Sequence, residues 1–198
     1  AEMQAPQIPG TLPAADIKRL KADAFDRSND LKPLSVVTGD IIAKNAYEWS
    51  KATESPLAQA AVRGAEKITV RPLLGHSGKA VKLPKGASLS YDFYCDKSGD
   101  ARFTIAAIPC FLNAVKNMRV SVSIDRGEPV ICQLKEVYNS KDWKFDLWRG
   151  QTLKSFYVTL PDGSHNVTIK ALDDNVMIDQ WVLDYDVDRE YYVFPVAK

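Results

Sequence analysis

Residues 163–184 have the sequence GSHNVTIKALDDNVMIDQWVLD, and this stretch decides the fold class. After the turn residues Asp162 and Gly163, Val167 and Ile169 alternate with polar residues, which predicts a strand. A polar loop at 173–175 then leads into a second apolar run that contains Trp181. Two β-rich runs joined by a short polar loop are typical of a hairpin or a sheet crossing in an all-β sandwich.

The same pattern continues through most of the chain. Strands are predicted at 67–71, 79–83, 87–94, 101–108, 118–125, 129–135, 154–159, 165–171 and 176–185, with a further strand inside 40–49. Turn residues such as Lys85-Gly86 and Arg126-Gly127 separate them. A helical turn is predicted at 58–65, and a polar, turn-rich segment at 142–150. Many short strands without intervening helices favour a two-sheet antiparallel β-sandwich of jelly-roll type.

The N-terminal region has a different composition. Its first 13 residues contain three prolines, which is typical of a linker or surface arm. Residues 14–27 place apolar side chains on one helical face and charges opposite, which predicts a short helix. We therefore expect a helical or extended arm at 1–35 and the sandwich domain at 36–198.

Length, composition and charge limit the classes of function. The chain has 198 residues, 45% of them hydrophobic and 26% charged, with a formal net charge of +1. Such balanced charge argues against general attraction to nucleic acid or anionic lipid. No apolar run is long enough to cross a bilayer, and the first residues, AEMQAPQIPG, lack the features of a signal peptide.

Three cysteines, Cys95, Cys110 and Cys132, cannot all pair with one another. Cys95 and Cys110 lie in apolar strand-like runs, as buried free thiols do, although one disulfide stays open as an alternative. Their spacings do not fit a zinc site.

No constellation of catalytic residues stands out. The chain lacks a G-x-S-x-G elbow and a phosphate-binding glycine loop, and nothing places a serine beside His76 or His165. Aspartates and glutamates are plentiful, but no pair is distinguished as the two facing carboxylates of a glycosidase. We predict no catalytic residues and no enzyme activity for the chain itself.

Six blocks in order carry a family resemblance. They are IIAKNAYEWS (41–50), LLGHSGKAVKLP (73–84), GASLSYDFYCDKSGDARFTIAAIPC (86–110), VSVSIDRGEPV (120–130), DWKFDLWRGQTLKSFYVTL (142–160) and GSHNVTIKALDDNVMIDQWVLDY (163–185). Together they resemble the carbohydrate-binding-module-like β-sandwich at the C-terminus of glycoside hydrolase family 115, the xylan α-glucuronidases. More broadly the chain is similar to the galactose-binding-like jelly rolls, over residues 36–185.

This resemblance implies a non-catalytic accessory module that binds plant-type glycan or that positions or dimerises a hydrolase. Its partners would be a glycan or a parent or neighbouring glycoside hydrolase domain, with a homodimer as one arrangement. The location it implies is periplasmic or extracellular. A purely structural or protein-interaction sandwich without a sugar site stays open as the alternative.

One departure from the related modules concerns calcium. Those modules often begin with a strand E-A-E whose carboxylates help to hold a structural calcium ion, whereas this chain has Ile42-Ala43-Lys44. Isoleucine cannot ligate and lysine has the wrong charge, so we expect no calcium and no other cofactor or metal. The remaining carboxylates that could act as ligands are Asp173, Asp174, Asp179 and Asp184.

Six residues are candidates for ligand contact: His76, Tyr138, Trp143, Trp148, Asp174 and Asn175. Aromatic rings can stack on the apolar face of a sugar while polar side chains bind its hydroxyls. The resemblance places His76 and Asn175 in loops that contact ligands, and with Asp174 they would line one rim of a cleft. Two alternatives stay open: the tryptophans cap the core, and the Asp-Asn pair serves only its turn.

Overall fold

Two antiparallel β-sheets packed face to face make up the part of the chain that the computed structural model describes, residues 40–110, 116–191 and 194–195. These residues belong to the second of two units, Ala1–Thr38 and Gly39–Lys198, into which the chain divides. The predicted arm at 1–35, with its helix at 14–27, lies outside the described residues.

The described elements follow one another as eleven strands and two helices. The strands are β1 (Ile41–Asn45), β2 (Lys51–Thr53), β3 (Thr69–Pro72), β4 (Lys79–Leu83), β5 (Ser88–Cys95), β6 (Gly99–Ala107), β7 (Arg119–Ile124), β8 (Val130–Gln133), β9 (Thr152–Leu160), β10 (Gly163–Ala171) and β11 (Val176–Asp184). The helices are α1 (Pro56–Gln59) and α2 (Lys141–Arg149), and neither is long and apolar enough to cross a membrane.

The strand order confirms the predicted all-β sandwich. One sheet has the order β3-β4-β11-β6-β9, with β1 paired to β11 as its sixth strand, and the other has the order β2-β5-β10-β7-β8. Each strand predicted from residue 67 onward is present. The alternation seen in the sequence explains the layers, because residues such as Val167 and Ile169 face inward while Thr168 between them does not.

The closing strand β11 supplies the centre of the core. Trp181 is fully buried and stacks on Phe103 of the same sheet, with ring centroids 5.3 Å apart. It also meets Tyr91 and Phe93 of the opposite sheet edge-on, at 5.6 and 5.5 Å. One indole thus joins the inner faces of both sheets.

Strand β11 changes its partner halfway along one edge. Its residues Val176, Met177 and Ile178 pair with β4, whereas Gln180 to Asp184 pair with β1. Between them lies Asp179, where the pairing with β6 on the other edge is interrupted by a register shift. The loop after β1 and the loop before β4 therefore both leave the sheet beside Asp179. The site described below is built around this residue.

Segment 142–150 differs from the prediction, because most of it is helix α2 rather than a turn-rich loop. The hydroxyl of Ser140 accepts a hydrogen bond from the Trp143 N–H at 3.1 Å, which caps the first turn. Gly150, in the left-handed conformation, closes the last turn by donating to the Asp146 carbonyl. Asp142 in the first turn and Arg149 in the last complement the helix dipole.

Replacing Trp181 by alanine should lower the free energy of unfolding by about 3–5 kcal/mol, the usual cost of removing a large buried aromatic side chain. Equilibrium unfolding in urea measures this directly. The matched control is Trp148→Ala, which removes an exposed tryptophan and should change stability by less than about 0.5 kcal/mol. Equal losses in the two variants would contradict the assignment of Trp181 to the centre of the core.

Candidate functional site

A buried carboxylate, Asp179, fixes the loop between β3 and β4. Its Oδ2 accepts the backbone N–H of His76 at 2.7 Å, and its Oδ1 accepts the hydroxyl of Ser77 at 2.5 Å and that residue's N–H at 3.2 Å. The side-chain amide of Gln151, just after α2, donates to Oδ2 at 2.7 Å. Asp179 thereby holds loop 73–78 and the end of α2 against the same point of β11.

Gly75 allows this close approach. Its φ is +78°, and a Cβ built at this position would lie 2.3 Å from Oδ1 of Asp179. Any side chain would therefore be strained by its backbone and would also collide with the carboxylate. Gly78, at the other end of the loop, has a φ of +74°, but a Cβ there would have no heavy atom within 4 Å.

Loop 73–78 meets the end of α2 through His76, and both segments carry exposed apolar side chains. Nε2 of His76 lies 2.8 Å from the carbonyl oxygen of Arg149; a carbonyl only accepts, so the ring donates and caps the helix C-terminus. Phe145 and Trp148 lie three residues apart in α2 and are 54% and 91% exposed, while Leu73 in the loop is 97% exposed. We call Leu73, His76, Phe145 and Trp148 the helix–loop surface.

The exposure of Trp148 rules out the alternative that this tryptophan caps the core, while its contact with a ligand stays a prediction. A tryptophan that capped the core would lose most of its accessible surface, whereas this ring keeps nearly all of it. Sequence reasoning did not select Phe145 or Leu73, although the 3.6-residue period of a helix would have placed Phe145 beside Trp148.

Tyr138 and Trp143 lie at the other end of the helix. Their rings meet edge-on with centroids 4.9 Å apart, and Trp143 is half-buried. Trp143 and Trp148 are five positions apart in α2, about 8 Å along the helix axis and about 140° around it. The Tyr138–Trp143 pair therefore lies at the start of α2 on a different side of the helix from Trp148, and the structure does not bring it into the helix–loop surface.

The structure does not bring Asp174 and Asn175 beside His76. Both lie in the turn between β10 and β11, where Asn175 has a φ of +64° and a carboxylate oxygen of Asp174 accepts the Lys85 N–H at 3.3 Å. The partner of His76, Asp179, is three residues inside β11, about 10 Å beyond the first residue of that strand. Asp and Asn are common in turns for backbone reasons alone. Contact of Asp174 and Asn175 with a ligand stays a prediction.

All four carboxylates considered for calcium accept hydrogen bonds from protein donors, and for Asp174 this donor is the Lys85 N–H described above. Asp173 accepts from the guanidinium of Arg119 at 2.8 and 3.0 Å, and this hydrogen bonding holds its pKa below the usual range. Asp179 accepts the donors described above, and Asp184 accepts the hydroxyl of Tyr191 at 2.7 Å. The expectation that the module works without calcium stays a prediction.

A depression lies on the outer face of the five-stranded sheet. It has a volume of about 640 Å³ and is lined by Asp92, Phe93, Tyr94, Asp125, Ser164, His165 and Asn166. Much of its polar lining is paired internally, since Asn166 donates to Asp92 at 2.7 Å and the His165 ring lies 2.5 Å from Asp125. None of these residues was a predicted site residue, although Asp92, Tyr94 and Asn166 occupy outward positions of β5 and β10.

His165 has the hydrogen bonding of a charged imidazolium. Its Nδ1 faces the Asp125 carboxylate and its Nε2 lies 2.9 Å from the Pro161 carbonyl, so both nitrogens must donate. Burial alone would lower the pKa of His165, but these two hydrogen bonds and the charge of Asp125 outweigh it and raise that pKa. Burial likewise opposes ionisation of Asp125, yet the His165 and Asn166 hydrogen bonds leave its pKa lowered.

The described residues offer little for covalent or metal chemistry. Within residues 40–110, 116–191 and 194–195, no group of three histidine, cysteine or acidic side chains is arranged to hold a metal ion. Burial raises the pKa of the thiols of Cys95 and Cys132, which keeps them protonated and unreactive. The exposed aromatic rings and adjoining polar groups are instead suited to binding.

The model of the glycosyl hydrolase family 115 C-terminal domain matches residues 38–197. No curated protein matches the sequence.

Among solved structures, the chain is similar to BtGH115A, a family GH115 4-O-methyl-α-glucuronidase with specificity for decorated arabinogalactans. The TM-score is 0.62 and the identity 25%, over 77% of this chain and 18% of the glucuronidase. The chain thus spans less than a fifth of that enzyme.

Two other similarities concern the fold alone. A family 35 carbohydrate-binding module from Clostridium thermocellum has a TM-score of 0.50 and 12% identity, over 72% of this chain and 98% of the module. The Podospora anserina GH26-CBM35 β-(1,4)-mannanase has a TM-score of 0.50 and 14% identity, over 77% of this chain and 29% of the mannanase.

Gly75→Ala should destabilise the protein by about 1–3 kcal/mol more than Gly78→Ala. Both substitutions place a Cβ on a residue with positive φ, but only the first also drives it into the Asp179 carboxylate. Urea unfolding of the two variants measures the difference. Equal losses would show that Asp179 does not hold the loop in the observed position.

The His165–Asp125 pair should give a pH-dependent contribution to stability. Because the pKa of Asp125 is lowered and that of His165 raised, the contribution is complete between about pH 4 and 6.5, the unfolded-state values. It is lost as pH falls through the lowered pKa of Asp125 or rises through the raised pKa of His165.

Asp125→Asn should therefore cost about 1 kcal/mol at pH 5, a value limited by the 45% exposure of the aspartate, and less at pH 9. Unfolding free energies across this pH range test the prediction. Asp92→Asn, at a carboxylate that pairs with an amide rather than a titrating ring, is the control. A pH-independent effect of Asp125→Asn would contradict the charged pair.

Proposed function

The chain belongs to the glycosyl hydrolase family 115 C-terminal domain family, and from this premise we propose that it is a non-catalytic accessory module that binds plant-type glycan for a hydrolase. The observation that carries the proposal is the helix–loop surface, and above all the 91% exposed ring of Trp148. Water disfavours so large an exposed aromatic face, and stacking on the C–H face of a sugar ring would cover it.

Polar groups next to the rings would add hydrogen bonds. The Nε2 of His76 is committed to the Arg149 carbonyl, so Nδ1 is the ring nitrogen that can accept from a sugar hydroxyl. Lys141 and Lys144 lie exposed along α2 and can donate. Asp179 positions the loop without contacting the ligand, so the surface is largely formed before binding.

Linkage to a hydrolase gives this binding its effect. A module that holds polysaccharide raises the local concentration of substrate around an attached or associated catalytic domain, even when its own affinity is modest. Partners under this proposal are the glycan and a glycoside hydrolase domain, and the location is periplasmic or extracellular, where polysaccharide is met.

A second candidate function is a docking surface for another domain of a family 115 hydrolase. The 97% exposure of Leu73 favours it, because an aliphatic side chain contributes less to sugar recognition than to a protein interface. In this case the module would position or dimerise the hydrolase and bind no sugar. The two candidates differ in whether isolated glycan binds to the chain.

Trp148→Ala should weaken glycan binding by about tenfold, which corresponds to the loss of one stacking contact of about 1.4 kcal/mol. Calorimetric titration with xylan, glucuronoxylan and pectic oligosaccharides measures the affinities. The control is Tyr94→Ala, which removes an exposed ring from the five-stranded sheet and should leave binding unchanged. Absence of binding to all of these glycans would favour the docking function, and sensitivity to Tyr94 alone would relocate the site.

A further inference from the structure

We propose that a groove on the outer face of the six-stranded sheet binds the carboxylate of an acidic sugar, with Arg102 as its main contact. The inference rests on the proposed glycan-binding function and names the chemical class of the glycan. The groove has a volume of about 370 Å³, within the range of small-ligand sites. We call it the arginine groove; its lining includes Arg102, Phe145, Arg149, Arg189 and Tyr191.

The sheet provides the floor of this groove. Thr104 of β6 lies directly across from Ser155 of β9, and their hydroxyls are hydrogen-bonded at 2.8 Å. Arg102 and Leu153 lie two residues away on the same face of these strands and also line the groove. The floor therefore combines hydroxyls, an aliphatic side chain and a guanidinium, a mixture that suits a sugar acid better than an inorganic anion.

Helix α2 and the segment 189–191 form the walls. Phe145 belongs both to this groove and to the helix–loop surface, and the guanidinium of Arg149 lies 4.6 Å from the centre of its ring. On the opposite wall the Arg102 guanidinium lies 5.1 Å from the ring centre of Tyr191. A glycan stacked on the exposed rings of α2 would thus have the groove beside it.

The three arginines differ in how their charge is neutralised. Arg149 pairs with buried Asp146 at 3.0 Å, and Arg189 lies 3.1 Å from buried Asp184. Among the described residues no carboxylate forms an ion pair with Arg102, whose Nη2 donates to the backbone carbonyl of Arg189. Arg102 is therefore the guanidinium best able to engage a ligand carboxylate, which matches its planar donor geometry.

Glu190 lies exposed at the mouth of the groove and has the opposite effect. Its negative charge repels a carboxylate ligand, although it can accept a hydrogen bond from a sugar hydroxyl. Neutralising Arg102 should therefore weaken the binding of a carboxylate ligand, and neutralising Glu190 should strengthen it. A general loss of structure would weaken binding in both variants.

The test is calorimetric titration of the full chain with trigalacturonate and with its carboxyl-reduced counterpart, the neutral trisaccharide of the same linkage. The wild-type chain should bind the acid at least about tenfold more tightly than the neutral form. Arg102→Gln should abolish this preference while neutral binding persists, and Glu190→Gln should increase it. The midpoint of thermal unfolding checks that both variants are folded.

Equal affinity for the acidic and neutral forms, with binding still weakened by Trp148→Ala, would contradict carboxylate binding in the arginine groove. The proposed glycan-binding function would stand. An acid preference that survives Arg102→Gln in a folded variant would also contradict carboxylate binding in this groove. Absence of binding to either trisaccharide and to the neutral xylan oligosaccharides would overturn the proposed function and this inference together.

Discussion

The buried carboxylate of Asp179 is the interaction on which the rest of the site depends. Its side chain accepts hydrogen bonds from His76, Ser77 and Gln151, and its backbone carbonyl accepts the N–H of Ala46 at 2.8 Å. One residue of β11 therefore joins the loop after β1, the loop before β4 and the end of α2. A buried charge is tolerated only when it is well hydrogen-bonded, so these segments and the carboxylate require one another.

The fold was largely predictable from the sequence because its signals are local. Alternation of apolar and polar residues located β5, β7 and β10, and the turn residues between them marked their ends. Helix α2 was missed although Ser140 and Gly150 are ordinary start and stop signals, because the polar and aromatic residues between them lack the apolar stripe of a buried helix. The partner change along β11 depends on contacts between distant segments, which no local pattern reveals.

The candidate site was predictable only in part. His76 lies at the end of α2, next to the residue that follows Trp148, because Asp179 holds its loop there; His76 and Trp148 are 72 residues apart in sequence. Asp174 and Asn175 lie in the β10–β11 turn, at the start of β11. Loop 73–78 is bound by Asp179, farther along the same strand, so the turn and the loop are apart. The arginine groove was not predicted at all, because Arg102, Arg149 and Arg189 come from a strand, a helix and the segment after β11.

We propose that glycan meets the protein at α2 and loop 73–78 rather than on the five-stranded sheet. Backbone amide NMR spectra recorded during titration with glucuronoxylan oligosaccharides test this most directly, because each amide reports its own surroundings. We expect shift changes concentrated in 73–78 and 141–150 and in the indole N–H of Trp148. Changes confined to the outward residues of β5 and β10, or no changes at saturating glycan, would contradict it.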